Sequence, residues 1–188
     1  MRHVISALVI NESGVLANVA GMFAARGFNI DSLVVGRTEN PELSRMTIVC
    51  TADDNTIEQV RKQLAKLVPV VKVRDFKDAA YVERDLLLVK VGVNADKRGE
   101  VIQIVDMFRG NVVDVAVDSL MIELIGTEEK LEAFLELMKV YGIEETARTG
   151  VIAMARGSQG GKEKATAPTG KKRTRSLDAP AAAALPPS

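Results

Sequence analysis

The sequence predicts an α/β protein of two tandem βαββαβ modules followed by a polar tail, and three observations carry that prediction. Short apolar runs alternate with stretches whose apolar residues recur every three or four positions. The same order of elements starts again near Leu86, and the composition changes abruptly at Gly157.

Val4 to Ile10 reads VISALVI, a short apolar run halted by the polar Asn11-Glu12-Ser13-Gly14, as expected of a buried strand ending at a turn. From Val15 to Arg26 the apolar residues Val15, Leu16, Val19, Met22 and Phe23 have helical spacing, and Gly27 stands where a C-cap glycine belongs. Asn29 to Thr38 and Leu43 to Ala52 read as two strands joined by Glu39-Asn40-Pro41-Glu42, a hairpin. Asp53 or Asp54 can cap a helix from Asn55 to Leu67, whose Ile57, Val60, Leu64 and Leu67 share one face, and Pro69 prevents its continuation. Val70 to Phe76 closes the unit as a strand. That order on an antiparallel sheet is a ferredoxin-like sandwich.

The second unit repeats the order. Leu86 to Val93 reads as a strand, Gly99 to Phe108 as a helix, Asn111 to Val117 and Leu120 to Ile125 as strands, and Lys130 to Val140 as a helix. An offset of 83 aligns Asn11 with Asn94, Arg26-Gly27 with Arg109-Gly110, and Asp31 with Asp114. The polar stretch Asp78 to Arg84 reads as the joint, which gives a first module over 1–78 and a second over 79–156. Residues 157–188 mix Gly, Ser, Pro, Ala and Lys without apolar periodicity, and are expected to be disordered.

Composition narrows the function classes. Apolar residues make up 47%, and Lys plus Arg equals Asp plus Glu at 25 each, so the balance draws the chain toward neither nucleic acid nor anionic membrane. Six basic and two acidic residues in 157–188 give that segment a net +4, which leaves Met1 to Arg156 at −4. One cysteine, Cys50, excludes an internal disulfide, and with no apolar run near membrane-span length a cytoplasmic protein is expected.

No catalytic constellation stands out. His3, the single histidine, lies at a strand start without an evident partner, and Cys50 sits in MTIVCTA as a small hydrophobe. Glu58 and Glu144-Glu145 are single or adjacent acids on polar faces. There is no phosphate-binding glycine loop and no metal framework.

The informative stretch is Ile10 to Leu16, where a strand hands over to a helix. Free N–H groups at a helix N-terminus, aided by the helix dipole, suit a carboxylate. Gly14 admits close approach, and Asn11 offers both a donor and an acceptor for an α-ammonium or a carboxylate oxygen. The same residues also suit a plain turn and helix cap. Asn29, just after Gly27-Phe28, is a weaker candidate for a further polar contact. Lys97, flanked by Asp96 and Arg98, takes the place of Gly14 in the second unit, which therefore lacks a small-residue cradle and suits assembly better than sensing.

The blocks ESGVLANVAGMFAARGFNIDSL, LSRMTIV, VERDLLLVKV, FRGNVVDV and EETARTGVIAMARG resemble the regulatory small subunits of acetolactate synthase, from about Arg2 to Arg156. The resemblance implies that the first module is an ACT domain, the ferredoxin-like amino-acid-binding module. It implies a non-catalytic subunit that binds and activates a catalytic large subunit and confers feedback inhibition by valine, sometimes by leucine or isoleucine. Thiamine diphosphate, magnesium and flavin would sit on that large subunit and not on this chain. It further implies a homodimer through ACT domains, with effector held by Asn11, Gly14, Val15 and Leu16 of one chain and by Asn29 and Ile30 of the facing chain, while Glu12 and Ser13 shape the turn. Apolar side chains there suit a branched aliphatic ligand. The tail departs from the family pattern.

Other functions share this topology. A free-standing amino-acid-sensing module would have the pocket but another partner. An RNA-binding domain needs stacking aromatics on its central strands, whereas LSRMTIVC has none and the chain holds seven aromatic residues in all. An acylphosphatase-like enzyme needs an Arg and Asn loop that is not evident.

Overall fold

The computed structural model describes residues 1–77 and 79–157. The expected disorder of 157–188 concerns residues that, after Gly157, lie outside the described ones.

The first module runs β1 (Arg2–Ile10), α1 (Val15–Ala24), β2 (Ser32–Arg37), β3 (Leu43–Thr51), α2 (Asp54–Leu64) and β4 (Val70–Asp75). Its strands form an antiparallel sheet in the order β2-β3-β1-β4. Alternate residues of β1 and β3 (Ile5, Ala7, Val9, Met46, Ile48 and Cys50) meet Val19 and Phe23 of α1 and Ile57, Val60 and Leu64 of α2 in one core. Each large side chain so buried stabilises the fold by about 1.5–3 kcal/mol.

Local chemistry sets the helix ends. Asp53 caps α2, its carboxylate accepting from Thr56 N at 2.9 Å. α1 stops two residues before the predicted Arg26, because Gly27 is left-handed (φ +67°) and turns the chain. Gly27 N then donates to Ala24 O and Phe28 N to Phe23 O, with the Phe23 and Phe28 rings edge-on at 6.4 Å, a hydrogen-bonded cap sealed by an apolar contact. β2 begins at Ser32 rather than Asn29: the Asn29 amide donates to the Asp31 carboxylate, and the Asp31 N–H is the first of the segment to reach β3, at Val49 O.

The second module runs β5 (Tyr81–Gly92), α3 (Ala95–Met107), β6 (Asn111–Val115), β7 (Ser119–Gly126), α4 (Glu128–Met138), β8 (Ile143–Arg148) and β9 (Ile152–Ala155). Its sheet has the order β6-β7-β5-β8, and β9 pairs with the first part of β5. Leu87, Val89, Val91, Leu120, Ile122 and Leu124 pack on Val101, Val105, Leu131, Phe134 and Met138. The structure thus has two antiparallel ferredoxin-like modules. The expected joint at Asp78 to Arg84 is shorter than read, because residues 81–84 already belong to β5, held by Ile152–Ala155. α3 starts four residues before the predicted Gly99. Asp96, Lys97 and the half-buried Arg98, which donates to Ala116 O and Val117 O, form its first turn, and Gly99 is tolerated inside the helix at about 1 kcal/mol.

The true internal repeat is offset by 82, not 83. Ile10 N donates to Pro69 O as Gly92 N does to Gly142 O, and Asn11 N to Glu42 O as Val93 N does to Asp118 O. The bulge at Leu8/Val9 recurs at Lys90/Val91. At the helix ends the left-handed residues are Gly27 and Arg109 (φ +54°). Gly110 is needed instead for close approach, since a Cβ there would lie 3.1 Å from Glu123 O. Asp31 precedes β2, whereas Asp114 lies inside β6.

A third cluster joins the modules. Val4, Val49 and Phe76 of the first pack on Val151 and Ala153 of the second, against the sheet face opposite α1 and α2. Phe76 stacks on Tyr81 at 5.0 Å. Arg2 completes the junction, bonded to Glu83 at 3.1 Å and Glu128 at 2.6 Å.

Candidate functional site

Four residues, 11–14, separate β1 from α1. Gly14 precedes the first helical residue at φ +84°, a left-handed conformation that costs other residues roughly 1–2 kcal/mol. A Cβ at Gly14 would meet nothing within 4 Å, so the space over the loop is open. Val15 N reaches Glu12 O at 3.4 Å and Asn18 N bonds Gly14 O, while the N–H groups of Ser13, Gly14, Leu16 and Ala17 have no acceptor among the described residues. Four free donors at the positive end of α1 make an anion-receptive surface. Val15 is buried beneath it and Leu16, 46% exposed, lies beside it.

Asn11 is placed differently from the sequence expectation. Its Nδ2 donates to Pro41 O and its Oδ1 accepts from Ser44 Oγ, both at 3.1 Å, so the carbonyl is occupied and one amide hydrogen is left over. The side chain ties the loop to the β2–β3 hairpin. No sequence signal could have found these partners, which lie 30 and 33 positions away.

Asn29 and Ile30 lie beyond the C-terminal end of α1, which is about 15 Å long. One chain therefore does not bring them to Gly14. Asn29 donates to Asp31 at 2.9 Å, Thr51 Oγ1 donates to the other Asp31 oxygen, and Ile30 packs on the first core. The β2 edge runs between the two places. β2 is an edge strand parallel to β1, so it starts beside Asn29 and Ile30 and ends near the start of α1. A second copy adding antiparallel to that edge would bring its own Asn29 and Ile30 to the head of α1.

In the second module two residues, Val93 and Asn94, replace the four-residue loop. Val93 occupies the place of Asn11 and is buried. Lys97 does not replace Gly14, as it lies within the first turn of α3, near the Tyr141 ring. The cradle is missing because the loop itself is shorter.

Elsewhere, burial pushes the Cys50 thiol up to about 11, so it is no nucleophile near neutral pH. Among the described residues no group of three or more His, Cys, Asp or Glu side chains is placed to hold a metal. No helix of the described residues is long and apolar enough to cross a membrane. A groove of about 360 Å³, lined by Val34, Gly36, Arg45, Val82, Ile152 and Met154, lies on the sheet face opposite α1 and is separate from the loop.

Known proteins resemble this chain over most of its length. Residues 5–72 match the model of the acetohydroxyacid synthase (AHAS) small subunit-like ACT domain, and residues 84–157 that of the small subunit of acetolactate synthase. A protein of Archaeoglobus fulgidus named "Probable acetolactate synthase small subunit" is 52% identical over 159 residues, spanning 85% of this chain and 99% of its own. The chain belongs to the acetolactate synthase small-subunit family. The acetolactate synthase small subunit of Mycolicibacterium smegmatis is 48% identical over 158 residues, 84% of this chain and 93% of that one. The crystal structure of the small subunit from Thermotoga maritima matches with a TM-score of 0.76 at 46% identity, covering 84% of this chain and 98% of that one. The first module is accordingly an ACT domain.

Proposed function

We propose that this chain is the non-catalytic regulatory subunit of a cytoplasmic acetolactate synthase, which activates the catalytic large subunit and makes it subject to feedback inhibition by valine. The observation that carries the reading is the set of four free N–H groups at the head of α1, beside the open β2 edge. The α-carboxylate of valine is received there over Gly14, against Val15 and Leu16. The remaining amide hydrogen of Asn11, with Asn29 and Ile30 of a second copy, completes the enclosure. Thiamine diphosphate, magnesium and flavin belong to the large subunit.

Inhibition then follows from linkage. Valine shifts the complex only as far as it binds the inactive arrangement more tightly than the active one, and a coupling of about 1–3 kcal/mol changes activity about 5- to 150-fold. A site between two ACT domains couples ligand to their mutual orientation.

The test combines calorimetry with each branched-chain amino acid and pyruvate condensation by the reconstituted complex. Gly14→Asp places a carboxylate against that of the ligand, and should abolish valine inhibition while activation persists. Undiminished inhibition in that variant would falsify the assignment. Valine binding without any stimulation of a thiamine enzyme would instead indicate a sensing module that serves another partner.

A further inference from the structure

Ser32 opens β2 immediately after Asn29-Ile30-Asp31, and its hydroxyl faces away from α1, toward the second module. Val151 N donates to Ser32 Oγ at 3.3 Å. Gly150 is required here on two counts: its φ is +85°, and a Cβ would fall 2.5 Å from Ser32 Oγ and 3.0 Å from Val34 Cγ2. At this seam Ser32 and Gly150 meet tightly, at the edge of a groove of about 290 Å³ that they line together with Asp31, Asp85 and Arg148. On its far side the turn is fixed by Asp85, only 3% exposed, whose carboxylate accepts from Gly150 N, Thr149 Oγ1 and Arg148 Nε. Arg148 also reaches Glu132 on α4.

We propose that the contact between Ser32 and the Gly150-Val151 turn passes effector occupancy from the ACT domain to the second module, with Ser32 as a positioning residue. This rests on the reading that Asn29 and Ile30 touch the effector. Asp31 locks that segment to β3, accepting from Thr51 and donating its own N–H to Val49 O, so a displacement at Ile30 is carried along the backbone into Ser32. At the one point where Ser32 meets Gly150 there is no room for a further atom, so a displacement there is passed on rather than absorbed. Because Gly150 already abuts Ser32, and Asp85 holds the turn to β5, the movement is delivered to β8 and, through Arg148, to α4.

The experiment uses the full chain, with valine, leucine and isoleucine run in parallel. Amide hydrogen exchange is recorded with and without ligand for the wild type, Ser32→Ala and Gly150→Ala, beside calorimetric affinities. In the wild type, ligand should change exchange at Gly150, Val151 and β8 by about tenfold. Ser32→Ala should bind within about threefold of wild type, yet its second module should no longer respond. In complex with the catalytic subunit its inhibition should weaken by about fivefold or more, with activation unchanged. Gly150→Ala, which wedges the seam, should uncouple in the same way and serves if Ser32→Ala does not fold. A purely structural contact would speed exchange equally with and without ligand; that result, or a wild-type response in either variant, overturns the proposal. If none of the three amino acids binds the wild type, the sensing reading is what fails, and the seam loses its input with it.

Discussion

The central strands of the two modules, VISALVI in β1 and LLLVKV in β5, are similarly apolar, yet they meet different surroundings. In β1 every residue from His3 to Val9 is buried, because helices cover one sheet face and the arm of β5 and β9 packs on the other. In β5 buried residues alternate with half-exposed ones, and on the face opposite α3 and α4 Leu86, Leu88 and Met121 are half-exposed and Ile125 is exposed. An antiparallel sheet with one solvated face ordinarily alternates apolar and polar. The loops differ as well, four residues before α1 against two before α3. One fold thus carries a four-residue loop with a left-handed Gly14 ahead of α1 and a two-residue connection ahead of α3, so the difference between the modules resides in the loop and not in the topology.

Substitutions at matched places sharpen this contrast. The largest effect is expected for Val49→Lys, which buries an unpaired charge between the modules and should cost more than about 4 kcal/mol in urea unfolding. Asp85 and His3 are equivalent by the offset of 82, both 3% exposed, but Asp85 accepts several hydrogen bonds while neither His3 ring nitrogen makes one, Nε2 standing 3.7 Å from the Asp54 carboxylate. Asp85→Ala should therefore destabilise by about 3 kcal/mol, and His3→Leu should stabilise by about 1 kcal/mol. Equal losses at both sites would break the contrast. For the cradle, Gly14→Asp should weaken valine binding by about a hundredfold, or about 2.7 kcal/mol, while Asn94→Asp at the head of α3 leaves it unchanged; calorimetry distinguishes them.

A pH experiment addresses the first core alone. Folding raises the Cys50 thiol from its ordinary 9.0 to about 11, so above pH 9 the unfolded chain loses a proton that the folded chain keeps. Stability should be unaffected below pH 9 and fall between about pH 9 and 11, and Cys50→Ala should flatten that part of the profile. The smallest effect is expected for Ile125→Lys on the open face, within about 0.5 kcal/mol. A large loss there would mean that the face is covered in solution.

Most of the architecture could be read from the chain because its signals are local. VISALVI, the helical spacing of Val15 to Phe23 and the cap at Asp53 each involve neighbours in sequence. What escaped is non-local. The repeat was misread by one residue because Asn11 and Asn94, like the two Arg-Gly pairs, match in identity while the ladder aligns Asn11 with Val93. The Pro41 and Ser44 partners of Asn11, and the Ser32 contact with Val151, join segments whose proximity only the fold creates. Nor does any periodicity announce that β9 will cover Val4 and Val49, since both-face burial and one-face burial grew from equally apolar strings.

β5 pairs with β9 over Tyr81–Arg84, where it lies on the ACT sheet, and with β7 over Asp85–Gly92 inside its own module. A continuous strand of 12 residues is about 40 Å long, and it is held by β9 at one end and by β7 and β8 at the other. Over that length an angular difference of about 10° at one end corresponds to about 7 Å at the other, so the angle at which β5 leaves the ACT sheet fixes where the far edge of the second module stands.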